Sequence, residues 1–203
     1  MSKPVKILAI IGSYRKGGII DRAVEEILVS AKECGAETRK IWLIDRQLSF
    51  CTNCRSCTQT EGLKRGLCVL EDDMESLLRD IDWADGLVVA SSMNAGTVTA
   101  VMKLFIERLV CFGYWPWGAP APKSRNPVKT KRAILVASSA APAVMARILG
   151  DVTRLLKAVA NLIGARTVGI LFIGLAAQKQ QQELSKRSKK KARLLGQKLA
   201  EGH

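Results

Sequence analysis

The sequence contains a single histidine, His203, which stands at its last position. It therefore offers no serine–histidine–aspartate set, and no pair of carboxylates stands out from the solvated charges. It also lacks the G-x-G-x-x-G and P-loop patterns, which argues against a Rossmann dinucleotide site and a nucleoside triphosphatase. Any catalysis by this chain would need a cofactor to supply the chemistry.

Long apolar runs are missing as well. No stretch approaches the roughly 20 apolar residues that span a bilayer as a helix. The apolar start, Met1–Ile11, is too short and too soon followed by Gly12 and Arg15 for a secretory signal. We therefore expect a cytoplasmic protein without a membrane contact, in which thiols stay reduced. The 203 residues are predicted to form one domain over 1–203.

Acidic residues are few compared with basic ones. The chain has 18 Asp and Glu against 32 Lys and Arg, a formal net charge of +14. Such an excess suits nucleic acid, an anionic membrane surface or a phosphorylated cofactor. Much of it is local, since eight basic residues and one acidic residue lie between Lys179 and Lys198. We interpret this stretch as the solvated face of a C-terminal helix over 178–200, and nucleic acid is the less favoured alternative.

Cysteine is concentrated in one stretch, predicted to be an insertion at 50–70. Four of the six cysteines form the pattern C-x2-C-x2-C-x10-C: Cys51, Cys54, Cys57 and Cys68. Gly62 and Gly66 can turn the chain back before the last of them. Thiolates spaced in this way suit an iron–sulfur cluster or tetrahedral zinc, and disulfides are less favoured in a reducing compartment. Cys34 and Cys111 are most simply structural.

Short apolar runs alternate with helical periodicity five times along the chain. The predicted strands are Val5–Ile11, Thr38–Ile44, Gly86–Ala90, Arg132–Ala137 and Thr167–Ile173. The predicted helices are Ile19–Cys34, a helix capped by Asp72 that runs to about Ile81, Val98–Val110, Ala143–Ile163 and Gln178–Leu199. Right-handed crossovers then require an α/β fold with a parallel sheet and helices on both faces.

Three segments rich in small residues follow the predicted strands: Gly12–Gly18, Ser91–Thr97 and Ser138–Pro142. Ligands of parallel sheets bind beyond this edge. Glycines, the Ser13 hydroxyl, the Arg15 cation and a helix N-terminus favour a phosphate site in the first segment over an ordinary turn. The second segment could lie flat against a planar ligand or be a plain polar loop.

Aromatic residues occur in a proline-rich loop predicted over Phe112–Thr130: Tyr114, Trp115 and Trp117. A loop of this length in a compact domain is commonly functional. It could form a lid over a ligand, contact a second subunit or pack against its own domain, and the residues alone do not separate these alternatives.

Three segments, taken in order, resemble the flavodoxin-like NAD(P)H-dependent FMN reductases, in their iron–sulfur flavoprotein branch. The segments are GSYRKGGIID at 12–21, CTNCRSC…GLCVLEDDM at 51–74 and SSMNAGTVTAVMKLFIERL at 91–109. The resemblance extends over Val5–Ile173. It implies a flavodoxin-like three-layer sandwich whose five parallel strands lie in the order 2-1-3-4-5.

The resemblance also implies bound FMN. The FMN phosphate would be held by Ser13, Arg15, Gly17, Gly18 and Ile19. The isoalloxazine would run along Met93, Asn94, Ala95, Gly96 and Thr97. Its other side would be closed by Ser138, Ser139 and Ala140. The family usually has proline and an aromatic residue where Met93 and Asn94 stand, so stacking from that position is lost here.

In the iron–sulfur branch, four cysteines hold a [4Fe–4S] cluster, and Cys51, Cys54, Cys57 and Cys68 match them in order. The last gap is longer than is typical of the branch, but added loop length costs little. By resemblance, the chain would transfer electrons from NAD(P)H or a ferredoxin-type donor. A homodimer or homotetramer would bring a neighbour's cluster toward the flavin, with Tyr114–Trp117 as the expected contact.

Two other functions stay open. The chain could be a cluster-free NAD(P)H-dependent FMN or quinone reductase. It could also be a zinc-containing protein that binds nucleic acid through the basic C-terminal helix.

Overall fold

A computed structural model describes residues 3–62 and 64–201, so His203 lies outside the described residues. The strands are β1 (Lys6–Gly12), β2 (Glu37–Trp42), β3 (Gly86–Asn94), β4 (Thr97–Val98), β5 (Gly113–Tyr114), β6 (Lys123–Ser124), β7 (Lys131–Ser138) and β8 (Ala165–Ile173). The α-helices are α1 (Ile19–Glu33), α2 (Met74–Trp83), α3 (Ala100–Arg108), α4 (Ala143–Leu149), α5 (Val152–Ile163) and α6 (Lys186–Ala200).

The five long strands form a parallel sheet in the order β2-β1-β3-β7-β8. Ile10 of β1 pairs with Ile41 of β2 on one side and with Val89 of β3 on the other. Short β4 pairs antiparallel with β3, and β5 pairs with β6 in a separate ribbon. The predicted parallel α/β fold and its strand order are confirmed.

The sheet is apolar on both faces because each face is covered by helices. Ile7, Ala9 and Ile11 of β1 pack in the core on the side of α1 and α6. Leu8 and Ile10, which alternate with them, pack in the core on the side of α2, α3 and α5. None of the helices in the described part of the chain is long and apolar enough to cross a bilayer.

The prediction of one helix over 143–163 was wrong, because α4 and α5 are separated at Gly150. A Cβ on Gly150 would lie 2.5 Å from the Met93 Cε and 2.8 Å from the Gly96 carbonyl oxygen. The Asp151 amide donates to that same oxygen at 2.8 Å. The chain therefore breaks its helix to pack against the β3–β4 turn.

The last helix also begins later than predicted, at Lys186 and not at Gln178. The Ser185 hydroxyl accepts a hydrogen bond from the Ser188 amide at 3.1 Å and so caps the helix. Before it, the Gln182 side-chain amide donates to the Leu175 carbonyl at 2.9 Å, which holds this segment in a compact turn. A side chain that bonds the backbone competes with helix formation.

Candidate functional site

A cleft of about 200 Å³ lies where β1, β3 and β7 end. Its lining residues come from four segments of the chain: Ser13, Arg15, Gly18, Ile19, Ile20, Ser92, Met93, Asn94, Ser138, Ser139, Ala140, Ala176 and Ala177. Four predicted residues, Gly17, Ala95, Gly96 and Thr97, do not line this cleft. All three predicted segments nevertheless meet at one edge of the sheet.

The first wall is the turn between β1 and α1. The buried Ser13 hydroxyl oxygen accepts hydrogen bonds from the Arg15 amide at 3.4 Å and from the Ser92 hydroxyl at 3.3 Å. Gly18 caps α1 without a side-chain hydrogen bond, so the first amides of the helix are not capped by a side chain. Amides at a helix start, next to a guanidinium, suit an anion such as a phosphate.

Two predicted phosphate-site groups already have partners within the chain. The Gly17 amide donates to Asp21 Oδ2 at 2.7 Å. The Arg15 guanidinium donates from Nη2 to the Gln180 carbonyl, in the segment before α6. An anion at this wall would thus compete with Gln180 for Arg15, whereas Gly17 contributes mainly the course of the backbone.

The second wall is the end of β3, where the chain makes a two-residue hairpin. Met93 pairs with Val98 and Asn94 with Thr97. Ala95 and Gly96 between them have φ values of 46° and 80°, as a type I′ turn requires. Because the tip of this turn packs on Gly150 and Asp151, only its first two residues, Met93 and Asn94, face the cleft.

The third wall follows β7 and is held by the strand beside it. The Ser139 amide donates to the Ile173 carbonyl at 2.9 Å, and the Ala176 amide donates to the Ser139 carbonyl at 2.8 Å. Ala176 and Ala177 were not predicted to line the site. They follow the fifth predicted strand by a few residues. Because ligands of parallel sheets bind beyond the carboxyl ends of the strands, this position could have predicted them.

A second cavity, of about 240 Å³, gathers all four cysteines of the C-x2-C-x2-C-x10-C pattern. Its lining residues are Cys51, Thr52, Asn53, Cys54, Arg55, Cys57, Cys68, Val69, Leu70, Arg108, Val110 and Trp115. Asn53 and Arg55 have φ values of 54° and 60°, and these left-handed residues coil the chain between the first three cysteines. The two cavities share no lining residue.

The aromatic loop anchors the cysteine stretch. The Arg55 guanidinium lies 3.8 Å from the Trp115 ring centroid and 4.2 Å from the Trp117 ring centroid. Its Nη2 donates to the Trp115 carbonyl at 2.6 Å, and the Trp115 amide donates to the Thr58 carbonyl at 2.9 Å. The Gly66 amide donates to the Cys111 carbonyl at 2.8 Å. The predicted loop thus packs against its own domain.

The thiols of this cavity influence one another. Burial, together with the charges of Cys68, Cys51 and Cys54, raises the pKa of Cys57 to about 11. Hydrogen bonds from Ser56, on the exposed side of the stretch, lower the pKa of Cys54. Burial and the charge of Cys57 raise the pKa of Cys111 to about 12. The Cys57 and Cys111 thiols are therefore protonated near neutral pH, and a cation that binds Cys57 would have to displace its proton.

Arg108, the last residue of α3, closes the floor of the cysteine cavity. Its side chain is 1% exposed and forms an ion pair with Asp72, which is 5% exposed. Burial alone would raise the pKa of Asp72, but hydrogen bonds from Arg108, Ser49 and Met74 outweigh it and hold that pKa below its usual value. The Met74 amide, the first of α2, donates to Asp72 Oδ1 at 3.0 Å, but the N-cap residue of this helix is Asp73 and not Asp72 as predicted.

The donor set fits a thiolate-bound group in its chemistry and in its position around one cavity. Among residues 3–62 and 64–201, no group of three or more Cys, His, Asp or Glu side chains is arranged so that it could hold a metal ion. The cysteine side chains would therefore have to turn toward a common centre. The cleft fits FMN in having an uncapped helix start, a guanidinium and buried serine hydroxyls.

Comparisons with known proteins identify the family of this chain. The family described as NADPH-dependent FMN reductase matches residues 5–178. An iron–sulfur flavoprotein of Archaeoglobus fulgidus is 33% identical over 112 residues, which cover 55% of this chain and 49% of that protein. One from Methanosarcina thermophila is 31% identical over 106 residues, covering 52% of this chain and 53% of that protein. The chain thus spans about half the length of these curated relatives.

Solved structures share the fold at low sequence identity. The azoreductase AzrA has a TM-score of 0.72 at 15% identity, covering 96% of this chain and 100% of that chain. An NAD(P)H:quinone oxidoreductase from Methanothermobacter marburgensis has a TM-score of 0.70 at 13% identity, with 97% and 100% covered. Since the family match extends over most of the chain, the protein belongs to the NADPH-dependent FMN reductase family.

Proposed function

We propose that this chain is an FMN-dependent oxidoreductase that transfers electrons between NAD(P)H, or a ferredoxin-type donor, and a [4Fe–4S] cluster. The observation that carries the proposal is that one cavity is lined by all four cysteines of the pattern, Cys51, Cys54, Cys57 and Cys68, in a chain of an FMN reductase family. FMN when bound takes electrons as hydride or singly, and a cluster passes them one at a time.

The cleft at the carboxyl edge of the sheet would hold FMN. Arg15 and the first amides of α1, from Ile19 onward, would bind the phosphate. Met93 and Asn94 would lie along one side of the isoalloxazine, and the segment Ser138–Ala140 along the other. The residues Gly17, Ala95, Gly96 and Thr97 shape the two turns that carry these groups.

The cysteine cavity would hold the cluster, with its four thiolates as ligands. α3 begins next to the flavin cleft, where the Thr99 hydroxyl donates to the Gly12 carbonyl at 2.7 Å. It ends at Arg108 in the cysteine cavity. With a rise of 1.5 Å per residue, these ends lie about 12 Å apart, so the two sites are separate within one protomer.

A homodimer or homotetramer would bring a neighbour's cluster closer to the flavin. Support for a subunit contact comes from exposed apolar side chains in and beside the cysteine stretch: Phe50 at 75%, Leu67 at 68%, Val69 at 62% and Trp117 at 67% exposure. Of the expected contact Tyr114–Trp117, only Trp117 is exposed to this degree. Trp115 instead donates from Nε1 to the Ala119 carbonyl at 2.9 Å.

A cluster-free NAD(P)H-dependent FMN or quinone reductase is the second candidate. It is favoured by the absence, within the described residues, of a ligand group at metal spacing. In that case the cysteine cavity would be a structural feature of the insertion.

The test is anaerobic purification followed by absorption spectroscopy and assays for iron and acid-labile sulfide. Cys57→Ser should lose iron and sulfide while it keeps FMN. Cys34→Ser is the matched control, because Cys34 is an exposed cysteine that follows α1 as its C-cap and lines neither cavity. FMN without iron in the wild-type protein would establish the second candidate, and a protein that binds no FMN would contradict both.

A further inference from the structure

Arg108 makes a contact in the cysteine cavity that an ordinary structural ion pair would not make. Its Nη1 donates to the Ser49 carbonyl at 2.8 Å and to Asp72, and its Nη2 donates to Asp72 Oδ1 at 3.1 Å. The same Nη2 lies 3.5 Å from the Cys68 sulfur and donates to it. The guanidinium thus connects a buried carboxylate with one of the four cysteine sulfurs.

The third nitrogen of the Arg108 guanidinium, Nε, is buried and makes no hydrogen bond to the described residues. The Arg55 Nε, in a second guanidinium that lines the same cavity, is in the same condition. Buried donors without partners are costly, and both of these arginines line the cavity together with the four thiols.

We propose that Arg108 is a positioning residue for the fourth cluster ligand and that its N–H···S hydrogen bond to Cys68 raises the reduction potential of the cluster. This inference rests on the proposed function. Reduction adds negative charge to a thiolate-bound cluster, and a donor to the ligand sulfur stabilises that charge. Asp72 fixes the orientation of the guanidinium and offsets its charge.

Because Asp72 orients Arg108, and Arg108 contacts Cys68, the fourth ligand can lie far along the chain from the other three. Ten residues separate Cys68 from Cys57, so the loop alone does not hold the sulfur in place. Arg108 belongs to α3, whose first turn is capped by Thr99 at the flavin cleft. A contact from this helix gives the Cys68 sulfur a defined position relative to the rest of the domain.

The first experiment uses the metal-free protein and does not depend on the cluster. Nitrogen-15 NMR of the arginine side chains should show that Cys68→Ala shifts the Arg108 resonances, whereas Cys51→Ala leaves them unchanged. Arg108 resonances that are indifferent to Cys68→Ala would overturn the inference.

The second experiment measures the cluster potential by an anaerobic redox titration followed by EPR. Arg108→Lys keeps the positive charge, but a single ammonium cannot serve both partners and should pair with the charged Asp72. We expect the equilibrium constant for cluster reduction to fall by about tenfold, which corresponds to 59 mV for one electron. An unchanged potential in this variant would overturn the inference.

The matched control is Arg65→Lys. Arg65 is also a largely buried arginine, and it binds Glu75 through two hydrogen bonds of 2.7 and 2.8 Å. It lines neither cavity, so its variant should leave the potential unchanged. An equal shift in both variants would assign the effect to general loosening of the fold and contradict a specific role of Arg108.

Asp72→Asn gives a second variant, in case Arg108→Lys does not fold. It removes the carboxylate that fixes the orientation of the guanidinium and keeps the size of the side chain. In this background the Arg108 side-chain resonances should no longer respond to Cys68→Ala, and an unchanged response would contradict the inference. A wild-type protein that takes up no cluster would refute the proposed function, and the NMR experiment would still decide the contact between Arg108 and Cys68.

Discussion

Gly66→Ala is the substitution for which the structure predicts the sharpest effect. A Cβ at this position would overlap the Cys57 carbonyl oxygen and would lie 2.6 Å from its carbonyl carbon. Both are backbone atoms, which cannot rotate away as a flexible side chain can. Either Cys57 or Gly66 must move, and the move disturbs the bond from the Gly66 amide to Cys111.

The magnitude follows from these two losses. Overpacking of a tight contact costs about 1–3 kcal/mol, and the lost hydrogen bond costs about 1 kcal/mol. We therefore expect Gly66→Ala to lower the free energy of unfolding of the metal-free protein by roughly 2–4 kcal/mol. It should also abolish iron uptake, because the Cys57 sulfur is displaced from the other three cysteines.

Urea unfolding at constant pH measures the first effect, and iron content after anaerobic reconstitution measures the second. Gly62→Ala is the matched control, since a Cβ there meets nothing within 4 Å. Its φ of 79° still makes alanine strained, at a cost of about 1–2 kcal/mol, but leaves the cavity intact. Equal destabilisation by both variants with undiminished iron uptake in Gly66→Ala would refute the reasoning.

Three further predictions address the cleft and the charges. Arg15→Gln should weaken FMN binding by about 10- to 150-fold, the worth of a charged hydrogen bond, in a fluorescence titration. The Arg15→Gln variant should bind riboflavin, which has no phosphate, as the wild type does. The control variant Lys16→Gln should bind FMN as the wild type does. Because folding lowers the pKa of Asp72, its stabilisation is present above the ordinary value of 3.8 and is lost as the pH falls below it. Asp72→Asn should therefore flatten acid unfolding curves, and unchanged curves would contradict this. Because the pKa of Cys57 is about 11, cobalt(II) affinity should rise with pH between 6 and 8, by about tenfold per unit for each proton released. A cobalt(II) affinity that does not change with pH would contradict the prediction that Cys57 loses a proton when the metal binds.

The strands and their order could be predicted because buried parallel strands have a distinct composition. The edge where the ligand segments meet follows directly from that order. What the sequence did not predict depends on distant contacts: the break at Gly150 is imposed by the β3–β4 turn, and the late start of α6 by the Gln182 side chain. Local propensity over 143–163 or 178–199 contains neither constraint.

The cysteine site was only partly predictable for the same reason. The spacing of the four cysteines indicates a shared cavity. Arg108 comes to this cavity from α3 through tertiary packing, and its position had no local signal, whereas Arg55 lies within the cysteine stretch itself. In the cleft, Ser92 could have been proposed because it belongs to the predicted segment Ser91–Thr97, and Ala176 and Ala177 because they follow the fifth long strand. The tip of the β3–β4 turn points to Gly150 because Ala95 and Gly96 adopt left-handed conformations.

The most direct test of the account is the absorption spectrum of the protein purified without oxygen, together with its iron and sulfide content. We expect a brown-yellow protein with a flavin band and about four iron and about four sulfide per chain. A protein that is colourless and takes up no FMN on incubation would contradict the central claim, and one that is yellow but free of iron would contradict its cluster.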